Sequence, residues 1–122
     1  MPMRCLIVDD SKVIRAVTRK IMEELNFETV EAADGAEALD RCREAMPDAI
    51  LLDWNMPRMD GLAFLGNLRQ MEGGQSPVVV FCTTENGIDK IASALAQGAN
   101  EYIMKPFDSE IIQSKLQQVG LL

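Results

Sequence analysis

Residues 5–25 read CLIVDDSKVIRAVTRKIMEEL, and this stretch decides the fold. Residues 5–8 are apolar at every position, as in a strand covered on both faces rather than one with a solvated side. The run ends on Asp9 and Asp10. Ser11 then offers a hydroxyl to cap a helix reaching about Leu25, in which Val13, Ile14, Val17, Ile21 and Leu25 predict an inward apolar stripe.

The same strand-then-helix unit recurs along the chain. Further apolar runs occupy residues 27–32, 49–52, 78–82 and 102–104. A second helix opens at Asp34, where Asp34 and Glu37 have the spacing of a capping box, and carries Leu39 and Cys42 inward before Pro47. A third follows Asp60-Gly61, with Leu62, Leu65 and Leu68 inward, and stops at Gly73-Gly74. A fourth runs from about Gly87 to Gln97, with Ile88, Ile91, Ala92 and Leu95 on a stripe and Gly98 at its end. The last runs from Asp108 to about Val119. Strand-helix alternation without room for hairpins predicts an α/β fold, a doubly wound parallel sheet of five strands with helices on both faces.

Composition narrows the chemistry. The 122 residues are 48% apolar, a length that fits a single domain over residues 1–122 with no output domain and no need of a disulfide to fold. Nineteen acids against 12 bases give a net charge of −7, which disfavours direct contact with nucleic acid or an anionic membrane surface. Histidine is absent, so there is no Ser-His-Asp triad, no HExxH zinc helix and no phosphohistidine formed on this chain. Cys5, Cys42 and Cys82 lack a CxxC spacing and read as buried thiols in a reducing cytoplasm. Residues 1–8 reach Asp9 too soon for a signal peptide or a membrane span, and a cytoplasmic monomer is expected.

The polar residues that end the strands carry the functional reading. Asp9 and Asp10 follow the first run, Asp53 the third, Thr83 the fourth and Lys105 the fifth. Parallel strands bring these ends to one edge of the sheet, where open α/β folds bind ligands. Three carboxylates in one crevice repel unless a cation neutralises them, and Mg²⁺, which prefers hard oxygen donors and a phosphate oxygen, is the natural candidate. Lys105 and Thr83 can each take a phosphoryl oxygen, so a carboxylate nucleophile for phosphoryl transfer is a coherent chemistry.

The segments LIVDDSKVIR, LLDWNMPRMDG, VVFCTTEN and EYIMKPF resemble, in order and spacing, the receiver domain of two-component response regulators, above all the single-domain, CheY-like chemotaxis regulators. The resemblance spans nearly the whole chain and implies a flavodoxin-like sheet of strand order 2-1-3-4-5. It makes Asp53 the phosphoacceptor and assigns Mg²⁺ to Asp10, Asp53 and the Asn55 carbonyl, with Asp9 acting largely through water. Thr83 and Lys105 would hold the phosphoryl group, Asn55 and Glu85 would flank it, and Pro106 would follow a cis bond. Tyr102 would change rotamer with the Thr83 hydroxyl. The implied partners are a sensor histidine kinase or histidine phosphotransfer protein as donor, and a protein target on the face of the fourth helix, fifth strand and fifth helix. Phosphorelays and stress signalling use the same site, so the resemblance does not select the pathway.

Blander roles stand beside these. Asp9 and Asp10 suit a turn and a helix cap, Thr83 a satisfied hydroxyl, and Lys105 a solvated lysine. Trp54, in a loop beside Asp53, is expected to be partly exposed, whereas Met56 and Met59 read as loop packing. A strand tyrosine such as Tyr102 needs no switching role, and Ile88 and Ile91 fit either the core or a partner patch. An aspartyl-phosphate phosphatase of the haloacid dehalogenase type needs a second aspartate two residues after the nucleophile as general acid. Asn55 stands there, and an amide cannot donate that proton, so slow autodephosphorylation rather than enzymatic turnover is expected. A nucleotide-binding Rossmann unit lacks its glycines in DDSKVIR. A receiver that works without phosphorylation would lack a site residue, and none is missing.

Overall fold

The central apolar runs become parallel strands buried on both faces. A computed structural model describes residues 2–122, with the side chains of Glu85 and Asn86 outside the described residues. Strands β1 (Arg4–Val8), β2 (Glu28–Ala32), β3 (Ala49–Asp53), β4 (Val78–Thr83) and β5 (Glu101–Met104) form a parallel sheet of order β2-β1-β3-β4-β5. Helices α1 (Lys12–Glu24), α2 (Gly35–Glu44), α3 (Gly61–Gln70), α4 (Ile91–Ala96) and α5 (Ser109–Gln118) alternate with them, and a 3₁₀ segment, Glu85–Lys90, precedes α4.

Successive strand residues point to opposite faces, and the core divides accordingly into two layers. Leu6, Val8, Ile50, Leu52 and Phe81 pack against Leu39 of α2, Phe64, Leu65 and Leu68 of α3 and Ala94 of α4. Cys5, Ile7, Leu51, Val80, Cys82 and Ile103 pack against Met22 of α1 and Ile112 and Leu116 of α5. Each large side chain fully buried in this way contributes about 1.5–3 kcal/mol.

Helix starts follow the capping residues. Ser11 Oγ accepts from Ile14 N–H at 3.2 Å, Asp34 Oδ1 from Glu37 N–H at 2.9 Å, Asp60 Oδ1 from Ala63 N–H at 2.8 Å and Asp108 Oδ1 from Ile111 N–H at 2.9 Å. Glu37 reaches back one residue beyond the cap and accepts from Ala33 N–H at 2.6 Å.

Two predicted stripes face the core only in part; of the first, Ile21 and Leu25 pack on it. In α1 the buried residues are Thr18 and Met22, one turn apart, while Val13, Ile14 and Val17 are 71, 36 and 51% exposed. The helix touches the sheet along a line narrower than its apolar arc, which leaves this flank in solvent. The predicted fourth helix divides into the 3₁₀ segment and a short α4 whose buried residue is Ala94. Tightening to three residues per turn shifts the phase, so Ile88 and Leu95 are exposed, while Ile91 packs on the core.

At the amino-terminal edge of the sheet, Arg69 of α3 fastens several loops. Its guanidinium donates to the carbonyls of Gly98 at 2.6 Å, Gly74 at 3.0 Å and Pro77 at 2.9 Å, and to Asn100 Oδ1 at 3.2 Å. Burial lowers its pKa from the ordinary arginine value.

All three cysteines are free and buried. Burial pushes the Cys82 thiol up to about 12 and Cys42 to about 11, and raises Cys5 as well. The native protein at pH 8 is therefore expected to leave Ellman's reagent unreacted over minutes, and to release three equivalents once unfolded in guanidinium.

Candidate functional site

The strand ends converge as the topology requires. Asp9 is 4% exposed, and each of its polar groups has a partner. Its N–H donates to Ala32 O at 3.1 Å, its carbonyl accepts from Arg15 Nη1 at 2.6 Å, Oδ1 accepts from Ser11 N–H at 2.8 Å, and Oδ2 accepts from Lys105 Nζ at 2.7 Å. Arg15 is itself paired with Glu31 of β2 at 3.0 Å. The turn carrying Asp9 and Asp10 is thus tied to β2 and to the residue that follows β5.

Asp53, at the end of β3, is 8% exposed, and its Oδ1 accepts from Lys105 Nζ at 3.2 Å. Lys105 therefore spans two carboxylates. Oxygens of Asp9, Asp10 and Asp53 lie within 4.8 Å of one another, a set of hard donors suited to a divalent cation such as Mg²⁺. Desolvation raises the pKa of Asp53, the charge of Lys105 opposes the rise, and Asp9 and Asp10 add to it. Burial alone would lower Lys105, but its bonds and charge contacts with Asp9 and Asp53 prevail and raise it, so the ammonium stays charged.

A cavity of about 240 Å³ opens over this cluster, lined by Asp10, Asp53, Trp54, Asn55, Thr84 and Lys105. Trp54 is partly exposed and Asn55 exposed. The loop that carries them is held at both ends. Gly61 N–H donates to Trp54 O at 2.9 Å, and a Cβ at Gly61 would fall 2.4 Å from Asp53 O, so only glycine lets α3 start this close to β3. Further along, Arg58 pairs with Asp34 at the cap of α2, and Gly35 N–H donates to Met59 O at 3.0 Å. Met56 is buried and Met59 packs on the core, in keeping with their reading as loop packing.

Thr83 is fully buried, and its hydroxyl donates to Thr84 O at 3.1 Å rather than to any carboxylate of the cluster. Gly87 of the 3₁₀ segment comes so close that a Cβ there would lie 2.0 Å from Thr83 Oγ1 and 2.3 Å from Trp54 Nε1. Tyr102 stands apart from the cavity, half-buried on β5. The role expected of the Glu85 side chain falls outside the described residues.

Residues 5–117 match the response regulator receiver domain family. The chain belongs to that family. Chemotaxis protein CheY1 of Helicobacter pylori is 34% identical over 96% of both chains, and a CheY homolog of Campylobacter jejuni is 34% identical over 96% of this chain and 92% of its own. Among solved structures, the chemotaxis response regulator CheY4 of Vibrio cholerae superposes with a TM-score of 0.90 at 34% identity, covering 98% of this chain and 99% of its own. A putative response regulator from Chloroflexus aurantiacus gives 0.91 at 26% identity over 98% of each. The protein is thus a receiver domain of two-component signalling with CheY-like relatives.

Within this receiver domain the fold brings Asp9, Asp10, Asp53, Asn55 and Lys105 together, leaves the Thr83 hydroxyl turned aside, and places Lys105-Pro106 in the cis form. Thr84 and Arg15 escaped the reading of the sequence. Thr84 follows a strand-end threonine and could have been suspected, whereas nothing about an arginine in a helix announces that it holds the carbonyl of Asp9. Among the described residues, no helix is long and apolar enough to cross a membrane.

The bond from Glu37 N–H foremost, aided by Arg58, holds the Asp34 carboxyl below the usual range against its burial. A depressed folded pKa stabilises above the unfolded value and is lost as pH falls through the folded one. Asp34→Ala is expected to lower stability by about 1–2 kcal/mol at pH 7, and Asp34→Asn, which keeps the cap, to recover much of it. Urea denaturation as a function of pH should show the wild-type advantage over Asp34→Asn shrinking as acid protonates Asp34.

Proposed function

We propose that this receiver domain is a phosphorylation-activated switch in which Asp53 accepts a phosphoryl group from a phosphohistidine and the altered face of α4, β5 and α5 binds a protein partner. The observation that carries this reading is Lys105 spanning Asp9 and Asp53 beneath an open cavity that also reaches Asp10 and Asn55. The Lys105 ammonium opposes the desolvation that disfavours the Asp53 carboxylate, the nucleophilic form. An Asp53 oxygen attacks phosphorus, the P–N bond breaks, and the imidazole leaves with the electron pair. Lys105 then has a phosphoryl oxygen to bind, and Thr83 can turn its hydroxyl toward another. Asp10, Asp53 and the Asn55 carbonyl would hold Mg²⁺, which when bound offsets negative charge on the transferred group. Asp9, with both oxygens already engaged, suits contact through water. Asn55 offers no proton to a leaving group, in keeping with slow hydrolysis of the protein's own acyl phosphate rather than turnover.

The donor would be a sensor histidine kinase or histidine phosphotransfer protein. The exposed apolar flank of α1 borders a groove of about 320 Å³ lined by Ile14, Val17, Thr18, Thr84, Lys105, Pro106 and Phe107, which adjoins the phosphoacceptor and offers a helix of the donor a surface. For the output face, Ile88, Leu95 and Ile111 supply exposed apolar anchors. Chemotaxis is the favoured pathway because relatives at 34% identity are named chemotaxis proteins, and a phosphorelay or stress pathway with the same chemistry is the second reading.

Trp54 is the only tryptophan and lines the cavity, so its fluorescence should change on adding Mg²⁺ and again on adding acetyl phosphate. Asp53→Asn is expected to abolish acid-stable, base-labile phosphate incorporation, and stoichiometric labelling of that variant would remove the assignment. Val17→Asp is expected to slow transfer from a phosphohistidine donor about tenfold while leaving acetyl phosphate labelling unchanged. Equal slowing with both donors would disprove a docking role.

A further inference from the structure

β5 is an edge strand, and a side chain from one core layer can reach round it to the other. Helix α5 packs through Ile112 and Leu116 on the layer that holds Ile103. Tyr102, one residue before Ile103, points to the opposite layer, where it packs with the core that contains Phe81. Lys115 joins these two sides. Its Nζ lies 4.8 Å from the centroid of the Tyr102 ring and 3.4 Å from Glu101 Oε1. The same Glu101 oxygen accepts from Tyr102 N–H at 2.9 Å. Lys115 and Glu101 are each only 23% exposed, so the ammonium meets the ring partly stripped of water, where a cation–π contact gains strength.

The strand register shows where the ring could otherwise go. Phe81 pairs with Tyr102 and Thr83 with Met104, so Thr83 and Tyr102 stand on the same face of adjacent strands, one diagonal step apart. A Thr83 hydroxyl that turns toward the phosphoryl group leaves room on this face. A tyrosine ring entering that room must leave the Lys115 ammonium.

Resting on the switching role of Tyr102 in the function proposed above, we infer that Lys115 is a positioning residue that holds the Tyr102 ring in its unphosphorylated place and thereby sets how readily the domain switches. Glu101 fixes the ammonium, and the ammonium fixes the ring. Linkage makes this a property of the phosphorylation site as well, because whatever stabilises the resting ring must weaken binding of a phosphoryl mimic at Asp53 by the same factor.

Tyr102 is the only tyrosine, so fluorotyrosine labelling gives a single ¹⁹F resonance for the ring. The experiment compares wild type, Lys115→Met and Lys115→Arg, with beryllofluoride and Mg²⁺ as the probe and Trp54 fluorescence as the binding signal. Lys115→Met keeps the aliphatic stem and is expected to bind beryllofluoride up to about tenfold more tightly, the scale of one partly desolvated cation–π contact. Its resonance without ligand should move toward the position that wild type takes with beryllofluoride. Lys115→Arg keeps a cation over the ring and should match wild type in both readouts. Wild-type affinity and an unmoved resonance in Lys115→Met would overturn the inference, as would equal tightening in both variants. A wild-type resonance that ignores beryllofluoride while Trp54 reports binding would instead remove the switching role of Tyr102, and the inference with it.

Discussion

Lys105 lies between two carboxylates that would not otherwise share a crevice. Charges under 4.8 Å apart repel by about 3–4 kcal/mol at an effective dielectric of about 20, and Asp53 is already driven toward its protonated form by burial. One ammonium, reaching 2.7 Å from Asp9 and 3.2 Å from Asp53, offsets part of that repulsion. The three carboxylates can share the crevice because β5 delivers Lys105 to the same edge as β1 and β3. A ligand that binds at Asp53 therefore enters a field in which attraction and repulsion are nearly balanced, and a small change in charge is felt by every group in the cluster.

The rest of the scaffold serves that placement. Parallel pairing of β1 with β3 and of β3 with β4 sends the three strand ends out together, and the side-chain cap of α1, Ser11, directly follows Asp10. Arg15 and Ser11 immobilise Asp9, and the Asp34–Arg58 pair steadies the loop that bears Asn55. These contacts hold in place the backbone and side chains that carry the cluster.

The fold was legible because its signals are local and redundant. Continuous apolar runs, capping residues and strand-end aspartates each need only a few neighbours in sequence, and four motifs agree on their order. The cluster was legible because parallel strands leave little choice about where their ends go. What escaped depended on distances the chain does not encode locally. An apolar period finds α1 but not which arc of it meets the sheet, and Thr18, a polar residue, took a buried place that Val17 was expected to hold. In the fourth helix, the 3₁₀ turn changed the phase of the stripe. Arg15, Arg69 and Lys115 act on partners outside their own helices, and a basic residue in an amphipathic helix reads as solvated until the strands beside it are placed.

Arg69 gives the molecule a fulcrum. By gathering the carbonyls of Gly74, Pro77 and Gly98, it fastens the entry to β4 and the entry to β5 to the same helix, at the edge farthest from Asp53. Strands pinned there cannot slide past one another when charge changes at the opposite edge. The response is left to rotamers and loops, whose motions fall in the picosecond-to-microsecond range. With Asp53 phosphorylated as proposed, the time course of the switch would follow the lifetime of the acyl phosphate rather than the speed of the protein.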